Sequence, residues 1–197
     1  MKKYITVPVV AAVVLAVTAT GAYAAARAFD RGDANAQAAG SSSRCLGKTP
    51  TITGSTAVVT GTSGNDVIVS AYANAEVYGL GGDDTICLYN IGSSAYGGDG
   101  RDAIWADGNS GHLLAGGAGD DVLLTSNTMI TGLGDGGDNV LVGGPGADTI
   151  FGGGGEDVLI GFSGNDTLRG GNGVDYVRGG SGSDSVSGEG DVDLLVD

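Results

Sequence analysis

Aliphatic residues recur at every ninth position towards the C-terminal end of the chain. Between Gly134 and Val196 the sequence divides into seven consecutive units of nine residues, and the eighth place of each unit is aliphatic. These positions are Leu141, Ile150, Leu159, Leu168, Val177, Val186 and Leu195. The last three places of a unit predict a minimal strand whose middle side chain points to one face. Because one aliphatic side chain cannot form a core alone, the pattern predicts stacked coils with a shared interior.

The remaining places of the unit are rich in glycine and carboxylates. Glycine opens every unit and holds the fourth place in all but the last, where Asp191 stands. A carboxylate holds the sixth place in all but the first unit, where Asn139 follows Asp138. Repeated glycines permit tight turns with positive φ, which leave carbonyl oxygens inside the bend. Carbonyl and carboxylate oxygens together are the ligands that calcium prefers.

The resulting pattern, G-G-x-G-x-D-x-U-x with U aliphatic, resembles the calcium-binding nonapeptide of the RTX (haemolysin-type) proteins. The resemblance covers at least residues 61 to 196. It implies an all-β fold, a right-handed parallel β-roll in which two nonapeptides make one coil. It also implies that calcium ions lie between equivalent loops of successive coils, held by sixth-place aspartates and loop carbonyls.

Four earlier units carry the same pattern and define the edges of the roll. They are GTSGNDVIV (61–69), GLGGDDTIC (79–87), GGDGRDAIW (97–105) and GGAGDDVLL (116–124). Their starts lie 18, 18 and 19 residues apart, so each follows the last by one coil. One edge, the first edge, should therefore carry loops that start at 61, 79, 97, 116, 134, 152, 170 and 188. The second edge should carry them only at 143, 161 and 179, because segments 70–78, 88–96, 106–115 and 125–133 lack the loop glycines and aspartate.

These loops supply the candidate metal ligands. They are Asp66, Asp84, Asp102, Asp121, Asp138, Asn139, Asp148, Asp157, Asp166, Asp175, Asp184 and Asp193. If each ion bridges neighbouring loops on one edge, the eight loops of the first edge hold up to seven ions and the three of the second edge up to two. We therefore expect Ca²⁺ as the cofactor, with up to about nine ions.

The outward strand positions after the first-edge loops are mostly apolar. They include Val67, Val69, Trp105, Val122, Leu124, Val140, Val142, Val158 and Ile160. A contiguous apolar face predicts a cover, which could be the N-terminal spacer, a second copy of the chain or another partner. The alternative is that short apolar strands simply favour β structure.

The two cysteines agree with a covered face. Cys45 lies before the repeats, and Cys87 stands at an outward ninth place. In an exported chain a cysteine pair usually forms a disulfide, so we predict a Cys45–Cys87 bond. Two free thiols or an intermolecular bridge remain the alternatives.

The chain begins with features of a secretory signal. Residues 1–24 contain Lys2 and Lys3, an apolar run and an Ala22-Tyr23-Ala24 cleavage site. They predict a cleaved signal peptide and a secreted, extracellular protein, with an uncleaved membrane anchor as the alternative. Residues 25–50 are rich in Ala, Ser and Gly and predict a flexible spacer. Residues 51–197 then form the predicted roll, with tandem units over 134–196.

The charge of the chain limits its partners. It carries 23 acidic against 9 basic residues, a formal charge of −14. Loss of Lys2 and Lys3 with the signal peptide makes this −16. So acidic a protein is not expected to bind nucleic acid or, after signal cleavage, a membrane, but it should attract divalent cations. Repulsion between neighbouring carboxylates predicts an unfolded chain until calcium neutralises them.

No catalytic constellation is evident. His112 is alone, and the G-x-G-x-x-G match at 132–137 is expected by accident in so glycine-rich a chain. The carboxylates repeat with the coil period, which indicates ion ligands rather than an acid/base pair. We therefore expect a secreted, non-enzymatic calcium-binding roll that folds on binding Ca²⁺ and serves a structural or adhesive role. The alternatives are an ice- or surface-binding roll and, with less support, a hydrolase with a cryptic site.

Overall fold

The structure, a computed structural model, describes residues 45–107, 111–125, 130–190 and 193–196, and these ranges form strands and turns without a helix. The odd-numbered strands belong to a nine-stranded sheet, sheet 1. They are β1 (Ile52–Gly54), β3 (Val67–Ser70), β5 (Thr85–Leu88), β7 (Ala103–Ala106), β9 (Val122–Thr125), β11 (Val140–Val142), β13 (Val158–Ser163), β15 (Tyr176–Ser181) and β17 (Leu194–Val196).

The even-numbered strands form an eight-stranded second sheet, sheet 2. They are β2 (Val58–Thr60), β4 (Glu76–Gly81), β6 (Ser94–Asp99), β8 (His112–Ala118), β10 (Ile130–Gly136), β12 (Thr149–Gly154), β14 (Thr167–Asn172) and β16 (Ser185–Glu189). All pairings are parallel, and each strand pairs with the strand two further along the chain. This alternation confirms a parallel β-solenoid in which two short strands make one coil.

The register between coils equals two nonapeptides. In sheet 1, for example, Leu159 pairs with Val177, 18 residues later. The step becomes 19 where segment 106–115 has one extra residue, so that Ser94 pairs with Leu113. The spacing in the sequence therefore predicted the pairing between coils, and every first-edge loop leads into a strand of sheet 1.

The core lies between the two sheets and consists mainly of the eighth-place side chains. Ile68, Ile86, Ile104, Leu123, Leu141, Leu159 and Val177 of sheet 1 meet Val77, Ala95, Leu114, Ile150 and Leu168 of sheet 2, and all are buried. Each fully buried aliphatic side chain contributes about 1.5–3 kcal/mol of transfer free energy. One coil supplies only about two of them, so no coil forms a core without its neighbours.

Most strands that run into a nonapeptide loop are longer than the predicted three residues, whereas β2 and β11 keep three. β13 precedes such a loop and continues to Ser163, whereas β7 precedes a segment without the pattern and ends at Ala106. The glycines at the start of the loop let successive coils stay stacked through the bend, so that Phe162 still pairs with Gly180. The prediction of minimal strands was therefore wrong for these elements.

The disulfide between Cys45 and Cys87 is confirmed, with an S–S distance of 2.04 Å. Cys45 and Lys48 form a turn that lies on the outer face of sheet 1, where the Lys48 Nζ donates a hydrogen bond to Thr85 Oγ1 at 2.7 Å. Cys45, Cys87 and Trp105 are buried in one cluster, and Tyr89 contacts the Trp105 ring edge-on. The end of the predicted spacer therefore covers the first coils of sheet 1.

Most of the apolar outer face is already buried within the single chain. Of the nine residues expected to offer a surface, Val69, Trp105, Val142, Val158 and Ile160 are buried, each with 5% exposure or less. Val67, Leu124 and Val140 are half-buried, and Val122 is exposed. The face is therefore not an open apolar surface of nine residues.

The predicted signal peptide, residues 1–24, and most of the predicted spacer, residues 25–44, lie outside the described residues. Among the residues that are described, none belongs to a helix long and apolar enough to cross a membrane.

Candidate metal centre

Glycines at two places of the loop make room for the sixth-place side chain and for the next coil. At the first place, a Cβ on Gly97 would clash with Oδ2 of Asp102 and with the carbonyl oxygen of Gly116. At the fourth place, Gly155 has φ of 120°, and a Cβ there would strike the carbonyl oxygen of Gly137 in the previous coil. Any other residue at these two places would therefore separate the coils or displace the carboxylate.

The sixth-place side chains form a continuous line along each edge, which we call the inner row. On the first edge it comprises Asp66, Asp84, Asp102, Asp121, Asn139, Asp157, Asp175 and Asp193, and on the second edge Asp148, Asp166 and Asp184. The backbone N–H of each member donates to the Oδ1 atom of the member one coil later. Asp84 N, for example, lies 2.8 Å from Asp102 Oδ1. One oxygen of each side chain therefore holds two coils together.

The second oxygen of most inner-row aspartates is buried and has no hydrogen-bond partner. This holds for Oδ2 of Asp84, Asp102, Asp121, Asp157, Asp166 and Asp175. A buried carboxylate oxygen without a partner costs roughly 1–3 kcal/mol or more. These Oδ2 atoms therefore require a hydrogen-bond donor or a cation in successive coils.

Burial also raises the pKa of these carboxyl groups. Desolvation, together with repulsion from the neighbouring carboxylates of the row, raises the pKa of Asp102 to about 6 and that of Asp121 to about 7. Desolvation raises the pKa of Asp157 to about 6, although hydrogen bonds from the backbone and side chain of Asn139 oppose the rise. Without a counterion, the charged form of the row is therefore disfavoured.

In the first member of each row, the Oδ2 atom is hydrogen-bonded within the protein. Oδ2 of Asp66 accepts hydrogen bonds from the backbone N–H and the hydroxyl of Thr62, at 2.7 and 2.8 Å. Oδ2 of Asp148 accepts the N–H of Gly144 at 2.9 Å. Burial raises the pKa of Asp66, but the hydrogen bonds from Thr62 and Thr51 outweigh this effect and lower the pKa below its usual value. These two aspartates are less available to a cation than the members that follow.

Asp138 and Asn139 take different positions. The Asn139 side chain is fully buried in the inner row, whereas Asp138 is exposed. Oδ1 of Asp138 accepts the N–H of Glu156 at 2.8 Å, and the N–H of Asp138 donates to Asp120 Oδ1 at 3.0 Å. Of the two neighbouring candidates, the sixth-place asparagine lies in the row and the fifth-place aspartate lies outside it.

The contacts of Asp138 belong to a second line of fifth-place side chains that the sequence analysis missed, which we call the outer row. Its accepting members are Asn65, Asp83, Asp120, Asp138 and Asn165. Each accepts, through Oδ1, the N–H of the fifth-place residue one coil later. The recurrence of Asn or Asp at the fifth place was the signal that could have revealed this row.

The early coils of the second edge replace aspartate at the sixth place with Ala75, Ser93 and His112. Ser93 Oγ accepts the N–H of Ala75 at 3.1 Å, which is the bond that Oδ1 makes elsewhere. A hydroxyl has no second oxygen to leave free. Nδ1 of His112 lies 3.3 Å from the carbonyl oxygen of Ser93, and burial lowers the pKa of this histidine. At the sixth place of these coils, hydrogen bonds of Ser93 and His112 join the coils, and there is no carboxylate oxygen to hold a cation.

The inner row fits calcium through oxygen atoms of two kinds. In the ranges that the structure describes, no group of three or more His, Cys, Asp or Glu side chains converges on one point. The loops with a free Oδ2 atom instead offer one carboxylate oxygen beside a first-place glycine. A carbonyl oxygen of the next coil also lies there, as at Gly79, Gly97 and Gly152. Calcium accepts such mixed carboxylate and carbonyl sets. The ligands would be the sixth-place aspartates and these carbonyls.

Comparison with known proteins identifies the repeats. Residues 60–88, 133–168 and 160–195 match the family model described as the RTX calcium-binding nonapeptide repeat (4 copies). The comparisons with curated proteins and with solved structures find no match. The matched residues include the first-edge loops that start at 61, 79 and 134 and every later loop.

Proposed function

Because its repeats belong to the RTX calcium-binding nonapeptide family, we propose that this calcium-binding β-roll is secreted and folds when Ca²⁺ enters its loops outside the cell. Its role is then structural or adhesive rather than catalytic. The free Oδ2 atoms of the inner row carry this proposal, since a divalent cation would neutralise each of them.

The energies support a switch controlled by calcium. One site exposed to free ion at about 100 times its dissociation constant adds about 2.7 kcal/mol to the stability of the folded state. Several such sites together reach the roughly 5–15 kcal/mol that separates most folded domains from their unfolded chains. Calcium outside the cell is concentrated enough to fill sites too weak for the cytosol.

A calcium titration of the purified protein tests the proposal. Circular dichroism should report β structure in calcium, its loss in excess EGTA and its return when calcium is restored. Magnesium is the matched ion control, because its octahedral geometry and reluctance to lose water fit these loops poorly. A protein that remains equally ordered in EGTA, or that never orders in calcium, would contradict the proposal.

Secretion needs a separate test. Residues 1–24 should direct an attached reporter across the membrane, and N-terminal sequencing of the exported protein should begin near Ala25. Replacing Ala22 and Ala24 by bulky residues should block cleavage, while the same change at Ala25 and Ala26 provides a control. Retention of the reporter inside the cell would refute a secretory signal.

One observation favours a surface-binding role as a second candidate. Thr131, Thr149, Thr167 and Ser185 stand in register on adjacent strands of sheet 2, so their side chains form one column on its outer face. A regular hydroxyl column is a feature that an ice-binding face requires. Ice crystals grown in the calcium-loaded protein would be shaped if this reading is right and would grow as in buffer if it is not.

A further inference from the structure

The inner row of the first edge contains one member that is not a carboxylate. Asn139 is fully buried, and its Oδ1 accepts the N–H of Asp121 at 2.9 Å. Its own N–H donates to Oδ1 of Asp157 at 2.8 Å. Asn139 therefore makes the same coil-to-coil contacts as an aspartate, and the stacking of coils continues through it.

These contacts fix the orientation of the Asn139 amide. Because Oδ1 must accept the N–H of Asp121, the NH₂ group occupies the position that Oδ2 takes in an aspartate. The position beside Gly134 supports this assignment. A Cβ built on Gly134 would lie 2.7 Å from Nδ2 of Asn139, whereas the same construction at the other first-edge glycines meets an aspartate Oδ2.

The NH₂ group is also satisfied within the protein. Nδ2 donates to the carbonyl oxygen of Gly137 at 2.9 Å, and neither polar atom of the side chain is among the buried atoms without a partner. The coils on either side differ, since Oδ2 of Asp121 and Oδ2 of Asp157 are both buried without a partner. In the loop of Asn139, the NH₂ group, which repels a cation, thus takes the place of an oxygen that could bind one. The same NH₂ group also occupies the carbonyl oxygen of Gly137.

From these contacts we infer that the calcium array of the first edge is interrupted at Asn139, where a hydrogen-bonded loop takes the place of an ion. The edge then carries two separate arrays, one from Asp66 to Asp121 and one from Asp157 to Asp193. The inference rests on the proposed calcium binding and adds to it which loop lacks an ion and why.

Native mass spectrometry of the purified protein in calcium tests the inference by counting bound ions. Asn139→Asp should increase the count by one relative to the unaltered protein, because it supplies a free carboxylate oxygen at that loop. Asp138→Asn is the matched control. This variant makes the reverse exchange, a carboxylate for an amide, at the neighbouring position. Residue 138 lies in the outer row, and its Oδ1 atom still accepts the N–H of Glu156. Its ion count should not change.

Two further variants keep the test decisive if Asn139→Asp does not fold. Asn139→Ala should leave the ion count unchanged, because no ion depends on its side chain, whereas Asp157→Asn should lower the count by one. An unchanged count in a folded Asn139→Asp variant, or a loss of an ion in Asn139→Ala, would overturn the interruption. Failure of the unaltered protein to bind any calcium would overturn the proposed function as well, so the two failures can be told apart.

Discussion

The N-terminal half of the roll, residues 45–125, and the C-terminal half, residues 130–196, share one coil geometry but are stabilised differently. The N-terminal half carries inner-row carboxylates on the first edge, while Ala75, Ser93 and His112 stand at the sixth place of its second edge. It also has the disulfide and the cluster around Trp105. In the C-terminal half, carboxylates of the inner row lie on both edges, as Asp157 and Asp166 illustrate.

The difference indicates how a nonapeptide coil can be stabilised without an ion. A hydroxyl at Ser93 or an amide at Asn139 makes the coil-to-coil hydrogen bond and leaves no free anionic oxygen. An aspartate makes the same bond but adds a buried charge that needs a cation. We therefore expect the C-terminal half to depend on calcium more strongly than the N-terminal half.

Removal of calcium should have the largest effect. In excess EGTA, the C-terminal half should lose its protection from amide hydrogen exchange, because its carboxylates repel one another on two edges. The N-terminal half should keep partial protection while the disulfide is intact, and the emission of Trp105, the one tryptophan of the chain, should report this. Equal loss of protection in both halves would refute the comparison.

Removal of the disulfide should have the next largest effect and should act on the other half. Cys45 and Cys87 are 42 residues apart, and a loop of this size contributes about 4 kcal/mol on the chain-entropy model. The double variant Cys45→Ser with Cys87→Ser should shift urea unfolding monitored by Trp105 to lower concentration in calcium. Reduction of the unaltered protein is the control and should reproduce the shift, and a larger change in the C-terminal half than around Trp105 would contradict the prediction.

Loss of a single carboxylate in the C-terminal half should cost about the contribution of one ion. Asp166→Asn can keep the Oδ1 bond to the N–H of Asp148 but lacks the free Oδ2. At a calcium concentration about 100 times the dissociation constant, we expect a loss of about 2.7 kcal/mol of stability. Asn165→Ala removes an exposed outer-row acceptor and serves as the comparison variant. As the calcium concentration is lowered, the difference in stability between the two proteins should shrink, and a loss that does not depend on calcium would point to packing instead.

A change of pH should act with opposite signs in the two ion conditions. In the metal-free protein the pKa values of Asp102, Asp121 and Asp157 are about 6, about 7 and about 6, above the ordinary 3.8. The folded state therefore holds protons that the unfolded chain has released, and this contribution is present at low pH and lost as the pH rises through 6 to 7. Protein stripped of calcium by dialysis should gain β structure between pH 8 and pH 5.

With calcium bound, the same acidification should destabilise the roll, because protons then compete with the ions for the carboxylates. Circular dichroism at both pH values, with and without calcium, measures the two signs. The same sign in both conditions would show that the inner-row carboxylates are not the groups that bind the ions.

Much of the fold followed from the spacing of residues in the sequence. The 18-residue step between equivalent loops predicted the pairing between coils, and the eighth-place aliphatics predicted the core. Both are properties of a repeat in which each coil contacts only its neighbours, so local periodicity and tertiary contacts carry the same information. The pairing of Cys45 with Cys87 followed from the presence of only two cysteines.

The different roles of the fifth-place and sixth-place side chains were not predicted from the repeat pattern. Asp138 and Asn139 are adjacent and both carry an oxygen, and only the strand register places the asparagine in the inner row and the aspartate in the outer one. Likewise, the burial of Val158 and Ile160 on the outward side of sheet 1 was not predicted by strand alternation.

The sequence by itself determined that this chain stacks nine-residue units around an aliphatic interior and lines its bends with carboxylates, because both features repeat with a fixed period. Only the tertiary structure decided which oxygen of each side chain joins two coils and which is left for a cation. That choice depends on where the backbone N–H of the previous coil lies, and this position exists only after the coils have stacked.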